Sequence, residues 1–176
     1  FAANGADGVP LCSNAHPLVK AGGVQSNILA AAADLDVTSL ELALTDWETT
    51  KTAEGFFQAM STPRLLIAPA NRWNAFEILK SQMRSDTANN TTNAFQMGGE
   101  NGQAVSDILV WSYLTDPDAW FLVASPDETG LLWLWRRQPY TREDYDEAKE
   151  TGYLYKRYRA TCGFHDWKGV YGTPGV

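Results

Sequence analysis

The sequence predicts an α+β protein, with helices in the first half of its 176 residues and strands in the second. A helix–strand–helix pattern lies between residues 38 and 83, and short apolar segments bounded by turn residues follow residue 107. Apolar residues make up 44% and charged residues 20%, which supports a packed core and excludes a disordered chain. No apolar run approaches the roughly 18 residues of a membrane-spanning helix, so we expect no membrane partner.

Residues 1–33 are predicted as an N-terminal segment of loops or a short hairpin. They are rich in Ala, Gly, Asn and Ser, and Pro10, Pro17 and the pair Gly22-Gly23 interrupt any regular period. The first helix is expected only after this segment.

The first helix is predicted from a capping pattern and from helical spacing. Thr38 and Glu41 have the spacing of a capping box, and Val37 and Leu42 stand where a hydrophobic staple would need them. The apolar residues that follow recur at helical intervals. We therefore expect a helix from about Ser39 to at least Thr50.

A buried strand and a second helix are predicted next. The run Pro63–Pro69 is short, apolar and closed by prolines, which indicates a strand. A helix then starts at about Asn71, and its apolar face is expected to contain Trp73, Phe76, Leu79 and Met83. The polar, glycine-rich stretch Arg84–Gln103 is predicted as an exposed loop.

The remaining residues are predicted to form strands. Turn residues bound three short candidates, which are Ile108–Tyr113, Ala119–Ala124 and Leu131–Arg136. Tyr153–Cys162 is the longest candidate and carries charged and aromatic side chains on both faces. Burying such charges within one subunit is costly unless they are paired, so this strand is expected to lie outside the core. The acidic run Glu143–Glu147 is predicted as a solvated face or loop.

The charge is divided unevenly along the chain, whose formal net charge is −7. Residues 1–130 carry 6 basic and 15 acidic side chains, whereas residues 131–176 carry 8 basic and 6 acidic ones. Nucleic-acid recognition usually requires a concentrated basic patch, which this distribution does not suggest. It indicates instead that the two parts of the chain face different neighbours.

The aromatic content permits two interpretations. The chain has seven Trp, seven Tyr and seven Phe residues, many of them in the strand-rich half. The core could absorb all of them, or several could lie in contacts between proteins, where aromatic residues and Arg are enriched. The sequence alone favours neither interpretation.

Two short Cys–His pairs suggest an alternative function, a zinc-dependent or Cys/His-based small enzyme. Cys12 and His16 form one pair, Cys162 and His165 the other, and together they could provide the four ligands of a tetrahedral zinc site. No sequence rule brings the pairs together, and buried Cys with hydrogen-bonded His is the commoner outcome. The chain also lacks the P-loop, G-x-G-x-x-G and G-x-S-x-G motifs, so we expect no enzyme and no cofactor.

Several segments, in the right order, resemble the major capsid proteins of tailed bacteriophages, most closely the Mu-like major head subunits. The first resembles that family's D-G-x-P-L-F-S-x-x-H-P … G-G-x-Q-S-N pattern, although Cys12 stands where the family usually has Phe. The segments that carry the resemblance are Asp7–Pro17, Gly22–Asn27, Pro63–Pro69, Ala75–Ser81, Tyr113–Leu122 and Gly163–Gly172.

This resemblance implies the Hong Kong 97-type α+β capsid fold. Residues 34–140 would be the axial domain, a sheet with flanking helices, and residues 141–176 a C-terminal segment that returns to the peripheral domain with a long strand. The family's N-terminal arm, extended loop and spine helix would precede Phe1. We expect that these 176 residues alone do not form closed shells.

The function implied by the resemblance is structural. Many copies would form hexamers and pentamers of an icosahedral shell that encloses DNA without reading its sequence, assembled in the cytoplasm of the bacterial host. Portal, scaffold or decoration proteins are further implied partners, and a decoration or scaffold module is itself an alternative identity. The residues expected in contacts between subunits are Tyr155, Arg157, Arg159 and Trp167.

Overall fold

A computed structural model describes residues 4–83, 92–97 and 104–176. Within these ranges a four-stranded sheet with helices forms the body, and a long two-stranded ribbon extends from it. The elements are β1 (His16–Pro17), β2 (Val24–Gln25), α1 (Val37–Glu48), β3 (Arg64–Ile67), a 3-10 turn (Pro69–Asn71), α2 (Arg72–Lys80), α3 (Ala94–Met97), β4 (Ile108–Val110), β5 (Trp120–Val123), β6 (Leu131–Asp146), β7 (Thr151–Phe164) and β8 (Val170–Thr173). The predicted α+β class is confirmed.

The body is built on a sheet with the strand order β4-β3-β5-β8. β3 and β4 are parallel, whereas β5 is antiparallel to both β3 and β8. Leu122 lies opposite Leu65 on one side and opposite Tyr171 on the other. Because all three side chains are buried, this row forms the middle of the core.

Both longer helices contribute apolar side chains to this core. Leu40, Ala43 and Trp47 of α1 join the buried cluster, as do three residues of α2. The Trp47 indole N–H donates to the Ser61 carbonyl at 3.2 Å, and the Trp120 indole N–H donates to the Ala33 carbonyl at 3.1 Å. The two indoles therefore bury large apolar surfaces without losing a hydrogen bond.

The start of α1 differs from the sequence prediction. The N-cap is Asp36, not Thr38, and the Asp36 N–H donates to the Ser39 hydroxyl at 2.9 Å. The staple positions that belong to this cap are Leu35 and Leu40, which are both buried, so the predicted staple was wrong. Two capping patterns overlap in this sequence, one starting at Asp36 and one at Thr38. The helix begins at the earlier pattern, because that start buries Leu35 and Leu40.

Replacing Ser39 by Ala should therefore destabilise the protein, whereas Thr38→Ala should have little effect. The buried Ser39 hydroxyl also donates to the Asp34 carbonyl at 2.8 Å, so its removal leaves two backbone groups without their partner. We expect a loss of about 1–2 kcal/mol in the free energy of unfolding, measured by urea denaturation. Equal effects of the two substitutions would contradict this assignment of the cap.

The buried face of α2 also differs from the prediction. Ala75, Ile78 and Leu79 are buried, whereas Trp73 is 76% exposed and Met83 lies beyond the end of the helix. The Arg72 guanidinium lies over the rings of Trp73 and Phe76, at 5.6 and 5.9 Å from their centres. Small and aliphatic residues bring the helix close to the sheet, and the bulky aromatics lie on its outer side.

The predicted loop Arg84–Gln103 falls largely outside the described residues, which include only positions 92–97 of it. Thr92, Ala94 and Gln96 are exposed as predicted, but Asn93 is not, and residues 94–97 form a helix instead of a loop. Asn93 is buried, and its side-chain amide donates to the carbonyls of Ile78 at 2.7 Å and Ser81 at 3.0 Å. α3 follows, and Phe95 packs against the core.

The C-terminal strand lies in the body. Every residue of β8 is buried, and Trp167 and Tyr171 are only 8% and 2% exposed, so Trp167 is not the surface residue that the sequence analysis expected. The predicted boundary between residues 140 and 141 falls inside β6, which continues without a break. The division into axial and peripheral domains stays a prediction. No helix in the described ranges is long and apolar enough to cross a membrane.

Candidate assembly surface

The ribbon of β6 and β7 is the most exposed part of the described structure. The two strands pair antiparallel from Leu131–Phe164 at the base to Asp146–Thr151 at the tip. With 14 residues in β7 the ribbon is about 45 Å long. Nearly all of its residues are exposed on both faces. Two-stranded hairpins are marginally stable alone in water, so this surface favours a binding partner.

Residues directly opposite each other across the two strands share a face, which defines two faces of the ribbon. We call one the tyrosine face. It consists of the opposed pairs Asp146–Thr151, Asp144–Tyr153, Arg142–Tyr155, Tyr140–Arg157 and Arg137–Arg159. We call the other the tryptophan face. It consists of Trp133, Trp135, Thr141, Glu143, Tyr145, Leu154, Lys156, Tyr158 and Cys162.

The tyrosine face carries positive charge at the end nearest the base of the ribbon. Arg137 and Arg159 lie opposite each other, and like charges in such a pair destabilise a hairpin. Within the described ranges neither of them, nor Arg157, has an ion-pair partner. The register shifts on both sides of Arg137, where Pro139 removes one backbone donor. An anionic partner would relieve the repulsion among these arginines.

The tip of the ribbon carries the opposite charge. Five acidic residues occupy positions 143–150, with Lys149 as the one base among them. The Arg142 guanidinium lies 3.5 Å from the Asp144 carboxylate, and the Lys149 ammonium 3.6 Å from the Asp146 carboxylate. Both pairs are exposed and contribute little to stability. The charge therefore changes sign along one face.

Aromatic rings lie beside these charged residues on both faces of the ribbon. On the tyrosine face the rings of Tyr153 and Tyr155 are stacked at 6.2 Å. On the tryptophan face Trp135 meets Trp133 at 5.7 Å and Tyr158 at 6.2 Å, both edge to face. All five rings are exposed. The interpretation that the core absorbs all the aromatic residues is therefore wrong for this group.

Comparison with known proteins identifies the family of this chain. A family model described as a phage capsid protein matches residues 1–173. The chain belongs to this family. No curated protein and no solved structure matches the chain.

Membership of the phage capsid family establishes a coarse function. The protein is a structural subunit of the virion capsid, and its family indicates a non-enzymatic role. Assembly with other capsid subunits follows from the same membership. The exposed ribbon is a surface of the kind that such assembly needs.

The structure places three of the four predicted contact residues of the capsid subunit on one surface. Tyr155, Arg157 and Arg159 are exposed and lie on the tyrosine face. Trp167 does not join them, because it is buried in the body and stacks on the His16 ring at 4.4 Å. It is not available for a contact between subunits.

His16 and Asn27 form a buried polar cluster beneath Trp167. The His16 Nδ1 atom lies 2.7 Å from an Asp7 carboxylate oxygen, and Nε2 lies 3.1 Å from the Asn27 amide oxygen. That oxygen also accepts from the Ser13 N–H at 2.7 Å. The Asn27 amide nitrogen donates to the carbonyls of Leu11 at 2.7 Å and Val170 at 2.9 Å. These bonds join the N-terminal segment to β8.

The cluster makes the protein sensitive to acid. Burial alone would raise the pKa of Asp7, but hydrogen bonds to His16 and to the Val9 N–H outweigh it and lower the pKa below its usual value of 3.8. A carboxylate with a lowered pKa stabilises the folded state above its unfolded pKa, and this contribution is lost as the pH falls through the folded value.

We therefore expect Asp7→Asn to reduce the loss of stability in acid. In urea denaturation at pH 7 and at pH 3, the free energy of unfolding should fall less in this variant than in the wild type. Asp127→Asn, which alters an exposed carboxylate, is the matched control. An unchanged pH dependence in Asp7→Asn would show that Asp7 is not a source of the acid sensitivity.

The four residues of the zinc alternative have separate environments. Cys12 is buried with its sulfur beside Gly172, and burial raises the pKa of its thiol to about 11. Cys162 is exposed on the ribbon, opposite Trp133. His16 is hydrogen-bonded to Asp7 and Asn27, and His165 is exposed just after the end of β7. In the described part of the chain no three His, Cys, Asp or Glu side chains are grouped to hold a metal ion.

A second exposed aromatic group was missed by the sequence prediction. Because β3 and β4 are parallel, the segments after them begin at the same edge of the sheet. Trp73 on α2 follows β3, while Trp111 and Tyr113 follow β4 and meet edge to face at 6.4 Å. All three rings are exposed. Helical spacing placed Trp73 in the core, and only the packing of α2 shows otherwise.

Proposed function

We propose that the chain is a Hong Kong 97-type capsid subunit, which assembles with its copies into hexamers and pentamers of a shell around DNA. Family membership and the sequence resemblance to Mu-like major head subunits support this proposal. The observation that carries it is the ribbon. Its 16 and 14 residues expose charge and aromatic rings on both faces, which a lone subunit leaves uncovered.

Within this function, Tyr155, Arg157 and Arg159 are proposed to contact a neighbouring subunit. The two arginines have no ion-pair partner in the described residues, so they are available to a neighbour's carboxylates. Tyr155 supplies an exposed ring between them and the tip. Arg and Tyr are enriched among residues that dominate binding at protein interfaces.

Reversing both arginine charges, Arg157→Glu with Arg159→Glu, should prevent assembly and leave the fold intact. In particles assembled during infection we expect at least a tenfold drop in yield by electron microscopy, while the thermal midpoint of the purified chain stays within a few degrees. The matched control is Lys20→Glu with Lys80→Glu, which makes the same charge change on the body. Unchanged particle yield in the ribbon variant would contradict the proposed contact.

The same images also test the assembly role itself. Hexamers and pentamers whose subunits contain this chain support a shell subunit. Binding only to a shell made by another protein would indicate a decoration module instead.

A further inference from the structure

We propose that two copies of this chain pair through their tyrosine faces, related by a two-fold axis near Tyr155. This inference rests on the proposed function and names the surface that each ribbon meets. Two-fold contacts use the same patch on both partners, so the patch must be complementary to itself. The charge order on the tyrosine face meets this requirement.

The rows of the tyrosine face carry opposite charges on the two sides of Tyr155, at equal distances from it. One row toward the tip lies Asp144, and one row toward the base lies Arg157. Two rows away on the same sides lie Asp146 and Arg159. A two-fold rotation about the Tyr155 row therefore brings the rows of Arg157 and Arg159 over the partner's rows of Asp144 and Asp146, while Arg142 of each copy lies near the axis. The pairing would span about 26 Å of each ribbon, from row Asp146 to row Arg159.

The centre of the proposed contact is aromatic. Tyr153 and Tyr155 stack on each other and are 39% and 42% exposed. Tyr140, Arg142 and Tyr155 line one hollow together with Asp144 and Arg157. A partner side chain can enter such a hollow. An aromatic centre with charged ends is the usual anatomy of a specific protein interface.

A second copy fits this face better than nucleic acid does. DNA lying along the arginines would also meet the acidic tip, within about 26 Å of Arg159. Glu147 and Glu150 at the tip have no ion-pair partner in the described ranges.

An exchange of charges between copies tests the pairing. Arg157→Glu and Asp144→Lys should each weaken self-association of the full chain at least tenfold, measured by sedimentation velocity at low salt. An equimolar mixture of the two variants should restore it, because the glutamate introduced in one copy meets the lysine introduced in its partner, and the wild-type pair re-forms on the other side of the axis. Lys156→Glu, on the tryptophan face of the same strand, is the matched control and should associate like the wild type.

The pairing is wrong if either single variant associates like the wild type, or if the mixture associates no better than the single variants. It is also wrong if the wild type binds a labelled 30-base-pair duplex through Arg157 and shows no self-association. Normal particle yield from both single variants would overturn the pairing alone and leave the capsid function standing. Failure of the wild-type chain to enter particles would instead overturn the proposed function.

Discussion

Removing the distal ribbon is expected to abolish assembly while the body still folds. A variant that joins Trp135 to Ala160 through Asn-Gly deletes residues 136–159 and keeps a short hairpin, because these two residues are already opposed. No residue of β6 or β7 belongs to the hydrophobic core cluster. The thermal midpoint should therefore change by only a few degrees, while particle yield should fall below detection by electron microscopy.

The short hairpin needs its own control, since any large deletion could disturb the body. The tryptophan bands of the near-ultraviolet circular dichroism spectrum report the packing of buried Trp47, Trp120 and Trp167, and these bands should persist in the variant. Particles of normal size from a variant with a native spectrum would show that assembly does not need the distal ribbon. Loss of the spectrum would show that the ribbon supports the body itself.

Replacing Asn27 by Ala is expected to cause the largest loss of stability from a single substitution. Its side chain makes four hydrogen bonds, to Leu11, Ser13, His16 and Val170, and is buried. Removal leaves each of these partners without its bond in a site closed to water, and an unsatisfied buried group costs about 1–3 kcal/mol. We expect the free energy of unfolding to fall by about 3–5 kcal/mol in urea denaturation.

Asn74→Ala provides the comparison for this experiment. Asn74 also donates to a backbone carbonyl, that of Leu35 at 2.7 Å, but it is exposed and makes one such bond. Its loss should cost about 1 kcal/mol. If the two substitutions cost the same, the buried cluster does not hold the N-terminal segment to β8 in the way that the hydrogen bonds indicate.

The parts of the fold that the sequence predicted are those with a local signal. β3, β5 and β7 were found because each is a run of apolar or aromatic residues between turn residues. The distal half of β6 was missed, since Pro139 and the acidic run Glu143–Glu147 argue locally against a strand. Pairing with β7 overrides that preference, and it depends on residues that lie 5 to 17 positions away, from Asp146 with Thr151 to Tyr140 with Arg157.

The candidate site, too, was predictable only where its residues carry a local signal in the sequence. Tyr155, Arg157 and Arg159 were recognised because charges on both faces of a strand indicate an exposed strand. Trp167 was misplaced because its environment is set by His16, which lies 151 positions earlier. Tyr171 is a similar case, since its hydroxyl donates to the Asp46 carboxylate at 2.7 Å. No local pattern reports such distant partners.

The position of β8 has a consequence for synthesis on the ribosome. The sheet is complete only when β5 has paired with Val170–Thr173, and the Asn27 side chain needs the Val170 carbonyl as a hydrogen-bond acceptor. The body therefore cannot finish folding until these residues have left the ribosome. The ribbon, by contrast, pairs with itself and emerges earlier. Domains fold as units during translation, and contacts between distant positions form late. In chains still being translated, the ribbon would thus have paired while the body is not yet folded. We expect stable association between subunits only after β8 has been translated.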